Sequence, residues 1–393
     1  MAQVSSHIAE NFSITDGGPM YRILDRLERG KDRRGRVAFR AAVAVAITWV
    51  PLLILSLMHG SAWGSQMRIP FLRDFAVSAR LLIAVPILIL AESKIDRRWR
   101  TLVLEFLRSE LVDEKTLPAF EAVLKRTMRW RNAVLPEVLL AAVAIFVSIF
   151  VFKTELLMSG TSNWHSTESG GVSTAGWWFS LFCTPIFRFL LLRWFWRMFL
   201  WTSVLWSVSR LNLFLVATHA DLAAGLGFLS EGQKAFSPIA FAGGAVIAAE
   251  VGNAIAYQGQ ALASLKFPMI AYGVLAILFL VAPLLVVAPV LLKVKRKALL
   301  DYGAQVTIHN QLFERKWIQH GRSEGETLLG NPDARSLADL GTSFAIVRQM
   351  RIVPMDKPTL IALAISAALP MLPVVLYATP ATVLIRATLK MLG

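Results

Sequence analysis

Cysteine is nearly missing from this chain: Cys183 is the only one among 393 residues. A disulfide framework and a cysteine-based metal site are both excluded by that count. Charge is scarce as well. Asp, Glu, Lys and Arg make up 17% of the sequence, where a soluble protein carries about 25%. The acids are the scarcer sign, 26 against 41 Lys and Arg, and the formal net charge is +15. Nucleotide-loop, Rossmann, HExxH and nucleophile-elbow patterns do not occur. The six histidines stand in no catalytic setting; no cofactor and no enzymatic activity are expected. The opening residues, MAQVSSHIAENFSITDGG, lack the basic-then-apolar pattern of a cleaved signal.

Apolar residues are what the chain has instead: 55% of it is hydrophobic, with a mean hydropathy of +0.56. Runs of about 20 apolar residues are long enough to cross a bilayer. They are expected at Val37–Met58, Phe75–Glu92, Ala133–Phe152, Phe236–Ala256, Pro268–Leu292 and Pro358–Ala378. A further stretch begins at Gly176 and holds six Trp and six Phe by Trp206, with Arg188, Arg193 and Arg197 set among them. Its apolar character continues to Ala217.

Loop charge decides how often that stretch crosses. With one crossing, segments 1–36, 93–132, 207–235 and 293–357 share a side and carry 30 Lys and Arg, against 6 in the segments opposite. Positive charge accumulates in cytoplasmic loops. Two crossings would move the 11 basic residues of 293–357 outside. The same rule accounts for the net charge without nucleic acid as a partner. The expectation is an all-α polytopic protein with about seven transmembrane helices, placed in the bacterial inner membrane with its N-terminus cytoplasmic and its C-terminus outside.

The cytoplasmic segments carry helical periodicity. In 1–36, Met20, Ile23, Leu24 and Leu27 oppose Arg22, Arg26 and Arg29, the pattern of a basic helix lying against anionic lipid. In 93–132, Ile95, Trp99, Leu102, Val103 and Phe106 predict that the second span runs on into the cytoplasm. Segment 293–357 reads as two helices, Lys293–Gln319 and Ala334–Met350, forming a small cap. The domain organisation expected is therefore 1–36, the first six spans in 37–292, the cap at 293–357, and the seventh span with a short outer tail in 358–393.

The runs DYGAQVTIHNQLF at 301–313, SLADLGTSFAIVRQMRIVP at 336–354 and THADLAAGLGFL at 218–229 resemble parts of an uncharacterised family of bacterial polytopic membrane proteins. In the last run Ala220 and Ala224 depart from that family's proline and glycine. The resemblance implies the fold and no activity.

Charges inside spans are the candidate sites, since each costs roughly 2.5–3.5 kcal/mol at a bilayer centre. Arg193 and Arg197, four residues apart, share a helix face. They suit either an anion or headgroup site or the cytoplasmic boundary of the span, with Glu137 as an interfacial partner. Arg188 lies deeper. Glu250, with Asn253 and Tyr257, makes a polar stripe on the fifth span; Glu250 either pairs with Arg188 or titrates in a proton-coupled cycle. Gly244, Ala248, Gly252 and Ala256 form a small-residue ridge that admits another helix. His219 and Asp221 are two groups short of a metal site and read as loop structure. Two functions follow. One is a transporter or channel-like protein with an internal polar site, formed by Arg188 and Glu250 with Asn253, for an anionic or lipid-headgroup ligand. The other is a non-transporting scaffold or regulatory subunit that forms homo-oligomers through the ridge. The bilayer itself, with anionic lipids at its cytoplasmic face, is the expected partner of both.

Overall fold

The computed structural model describes residues 6–22, 33–63, 68–158, 163–166, 171–319 and 332–379. Among the described residues eleven helices carry the architecture: His7–Glu10 (α1), Arg33–Met58 (α2), Phe75–Arg108 (α3), Leu117–Asn132 (α4), Val134–Met158 (α5), Thr174–Val208 (α6), Phe228–Gln258 (α7), Leu262–Leu285 (α8), Ala288–Phe313 (α9), Pro332–Gln349 (α10) and Lys357–Ala378 (α11). Seven of them, α2, α3, α5, α6, α7, α8 and α11, are long and apolar enough to span a membrane. Among the described residues there is no strand. The chain is an all-α integral membrane protein.

Two helices are much longer than a bilayer needs. At 34 and 35 residues, α3 and α6 run about 50 Å, some 20 Å beyond a hydrocarbon core of about 30 Å. The overhangs are covered by protein. Ile95, Trp99, Leu102, Val103 and Phe106 of α3 are all buried. Trp99 stacks on Trp201 of α6 at 5.6 Å, and Phe106 meets Phe120 of α4 and Phe228 of α7 at 5.9 and 5.1 Å. Aromatic pairs in these offset and edge geometries add stability beyond the area they bury. A layer of protein beyond the apolar spans is thereby fused to the bundle.

Both long helices widen by one turn shortly before a proline, at Ala79–Ala84 ahead of Pro86 and at Phe179–Cys183 ahead of Pro185. Proline has no N–H and crowds the carbonyl four residues back; a π-type turn relieves that crowding. Thr184 Oγ1 donates to the Phe179 carbonyl at 3.0 Å across the second of these turns. Cys183, buried beside it, contacts the Thr48 carbonyl of α2.

Several boundaries differ from the sequence reading. The aromatic stretch is one helix that stops at Val208, well short of residue 217. Residues 209–217 form a loop held by the Phe214 N–H donating to the Leu111 carbonyl at 3.0 Å. The sixth span ends at Leu285 instead of Leu292, because the chain breaks at 286–287 between Pro283 and Pro289. The N-terminal segment makes contacts that the sequence reading did not include. Residues 6–16 dock on protein: buried Asp96 accepts from Ser13 Oγ at 2.6 Å and from the Ile14 and Thr15 amides at 3.1 and 3.2 Å. Phe12 and Ile14 are buried there. The basic helix expected around Arg26 and Arg29 falls outside the described residues, apart from a helical start at 19–22.

Candidate functional site

Most of the buried charge gathers where α3, α5 and α6 meet the N-terminal segment. Glu92 projects from α3, Glu137 from the first turn of α5, and Arg193 and Arg197 from α6. Glu92 Oε1 lies 2.9 Å from Arg197 Nη1 and 3.6 Å from Arg193 Nη1. Glu137 Oε1 lies 3.8 Å from Arg193 Nε, and its other oxygen accepts from the Met20 amide at 3.1 Å. That bond closes the helical turn at 19–22, so the N-terminal segment is pinned to the cluster. The side chains of Arg193 and Glu92 are 11% exposed and that of Arg197 only 4%.

Donors exceed acceptors here. Two guanidiniums carry ten N–H groups, yet among the described residues they approach carboxylates at three contacts, of 2.9 and 3.6 Å to Glu92 and 3.8 Å to Glu137. Arg197 Nη2 is buried with no hydrogen-bond partner. A cavity of about 20 Å³, the size for one water molecule, separates Arg193, Arg197 and Glu137 from Thr15, Gly17 and Arg131. On the other side of Arg193 an apolar cavity of about 250 Å³ opens between α2, α3 and α6. Arg40 of α2 lines it, with its guanidinium 4.8 Å from the Tyr21 ring.

A second polar group lies at the opposite end of α3. Asp74 caps that helix by accepting from the Val77 amide at 3.1 Å. It also accepts from Trp164 Nε1 at 3.0 Å and Asn253 Nδ2 at 2.9 Å, with His165 at 3.9 Å. Burial alone would raise its pKa, but the His165 and Trp164 interactions and the Asn253 bond outweigh that and hold it at about 2. The stripe Glu250, Asn253, Tyr257 runs along the same seam. Glu250 is ion-paired with Arg80 of α3, Asn253 Oδ1 accepts from the Phe75 amide, and the Tyr257 hydroxyl donates to the Arg73 carbonyl. The stripe thus fastens α7 to the N-terminal end of α3. Glu250 and Arg188 are not brought together: Arg188 is half-buried on α6, and the partner of Glu250 is Arg80.

The small-residue ridge is occupied within the chain. A Cβ on Gly244 would come within 2.3 Å of the Ala367 carbonyl of α11, and one on Gly252 would meet Phe75 and Val374. Ala248 is buried and Ala256 is exposed at the helix end. The loop at 218–227 is likewise structural. Asp221 accepts from the Ala223, Gly225 and Gly227 amides, which together hold its carboxyl below the usual range against the cost of burial. Arg351 closes it by donating to the Asp221 carbonyl at 2.7 Å. His219 Nδ1 stands 2.9 Å from Asp221, and among the described residues no three His, Cys, Asp or Glu side chains converge as a metal site would need.

Glu92, Arg40 and Asp74 are the members that sequence reasoning missed. Glu92 marked the end of a span, and an acid there looks like a boundary until its partners are known. The architecture and the buried cluster define a polytopic membrane protein with a charged site near one face. Compared with known proteins, the chain matches no family model, no curated protein and no solved structure.

Proposed function

We propose that this protein binds an anionic ligand at the Arg193–Arg197 cluster and works as a transporter or channel-like protein of the bacterial inner membrane. The N-terminus and the cluster lie on the cytoplasmic side, and the C-terminus lies outside. The observation that carries the reading is the surplus of buried guanidinium donors, above all Arg197 Nη2. Guanidinium forks suit phosphate and carboxylate, and an unpaired buried donor costs about 1–3 kcal/mol, which a bound anion would recover. The excess of Lys and Arg in loops at this end, 30 against 6, supports the orientation.

The experiment is a thermal-stability titration of detergent-solubilised protein with glycerol 3-phosphate and with a short-chain phosphatidylglycerol. Saturable stabilisation by either, abolished in Arg197→Met, is the expected result. No stabilisation by either overturns the anion site. The second reading, a scaffold or regulatory subunit, draws on the fact that each carboxylate of the cluster already has a cationic neighbour. Oligomerisation through the ridge is not part of it, because α11 fills that face.

A further inference from the structure

The cavity beside Arg193 is apolar along its length and charged at one end. Val43 and Ile47 of α2 and Ile186 and Phe189 of α6 wall it; Arg40 and Arg193 stand at its mouth. Glu92 also reaches the mouth, but Arg197 engages it at 2.9 Å. Arg193, whose carboxylate contacts are 3.6 and 3.8 Å, is then the cation most available to the space. The α2 side is exposed at Phe39 (42%) and Ile47 (45%), so this wall of the cavity consists of residues that also face out of the bundle. A soluble anion has no use for such walls. An amphiphile matches both parts: apolar surface is buried at roughly 25 cal/mol per Å², and basic residues at the membrane surface attract anionic headgroups.

We propose that this cavity holds an acyl chain of one anionic phospholipid of the adjacent leaflet, with its phosphate between Arg40 and Arg193. The proposal rests on the anion-binding reading above and adds the ligand's class. It also gives Tyr21 a role: stacked against Arg40 at 4.8 Å, it borders the headgroup position from the N-terminal segment.

The test is native mass spectrometry of the full chain in detergent, titrated with dioleoylphosphatidylglycerol, dioleoylphosphatidylcholine and the chain-free headgroup glycerophosphoglycerol. Phosphatidylglycerol is expected to bind about tenfold or more tighter than either of the others. Ala44→Phe, which fills the cavity from α2, should weaken phosphatidylglycerol by a similar factor and leave glycerophosphoglycerol unchanged. Val43→Phe provides a second filling variant should Ala44→Phe not fold, and Arg40→Gln should erase the preference over phosphatidylcholine. Equal binding of headgroup and lipid would overturn the proposal while leaving the anion site standing. Absence of binding by all three would remove both. Phosphatidylglycerol binding that neither filling variant weakens would place the lipid elsewhere and overturn it as well.

Discussion

Glu92 and Arg197 lie 2.9 Å apart in a setting where each side chain is about nine-tenths buried or more, and the same carboxylate oxygen also faces Arg193 at 3.6 Å. Breaking a buried ion pair by removing one partner costs about 3–5 kcal/mol, because the other charge is stranded. Removal of Glu92 strands Arg197 and leaves Arg193 with Glu137 alone; removal of Arg197 leaves Glu92 with Arg193. Glu92→Gln is therefore expected to destabilise more than Arg197→Met, and the double variant less than the sum. Unfolding in mixed detergent–SDS micelles measures all three. Equal losses for the two single variants would contradict the shared-carboxylate geometry.

Close approach of α7 and α11 makes a separate prediction. With 2.3 Å between a Cβ at position 244 and the Ala367 carbonyl, Gly244→Val forces backbone apart and is expected to cost roughly 3 kcal/mol or more. Ala256→Val, at the exposed end of the ridge, should change stability by less than about 0.5 kcal/mol. Size-exclusion chromatography should find the oligomeric state unaltered in both. A change of assembly without loss of stability would mean that the ridge meets a second chain.

The Asp74 carboxyl, held at about 2 from an ordinary 3.8, links stability to pH. A depressed folded pKa contributes stability that is complete above the unfolded value and disappears as pH falls from about 4 to about 2. At 1.36 kcal/mol per unit, the contribution is roughly 2 kcal/mol. Asp74→Asn should lower the unfolding midpoint at pH 7, and its difference from the parent should shrink below pH 4. A difference independent of pH down to 3 would assign the loss to packing alone.

Backbone conformation in the loop after α6 supplies a fourth test. Leu222, Ala224 and Gly225 all have positive φ, at 56°, 54° and 94°. A side chain in that region costs about 1–2 kcal/mol, partly offset by the greater entropy glycine loses on folding. Ala224→Gly is thus expected to stabilise by up to about 1 kcal/mol. Gly225→Ala should destabilise by a similar amount, aided by its 3.2 Å approach to Leu111. Destabilisation by Ala224→Gly together with stabilisation by Gly225→Ala would remove the strain argument.

Hydropathy and loop charge made the seven spans legible, and the apolar periodicity from Ile95 to Phe106 foretold the overhang of α3. Those properties live in single segments. Charge pairing does not. Glu250 meets Arg80 because α7 packs on the N-terminal end of α3, and nothing within either helix states which neighbour it will have. Asp96 looked like an ordinary charge of a basic loop; its role in receiving Ser13, Ile14 and Thr15 depends on a chain segment more than 80 residues away. The end of α6 at Val208 was hidden for a different reason. Residues 211–217 are as apolar as a span, but they are tied to the α3–α4 turn by the Phe214 amide donating to the Leu111 carbonyl and the Thr116 hydroxyl donating to the Asn212 carbonyl.

The widened turns at Ala79–Ala84 and Phe179–Cys183 have a consequence for angular phase. Each residue in an α-helix advances the chain by about 100°, so a turn with one residue more offsets everything beyond it by that angle. Glu92 lies downstream of the first turn, and Arg193 and Arg197 lie downstream of the second. Deleting a single residue from 179–183 would let α6 run as regular helix with both guanidiniums still in phase with Glu92, whereas deleting one from the regular helix at 186–192 would swing them by about 100°. The charged site is set like two dials, each indexed by the turn ahead of its proline.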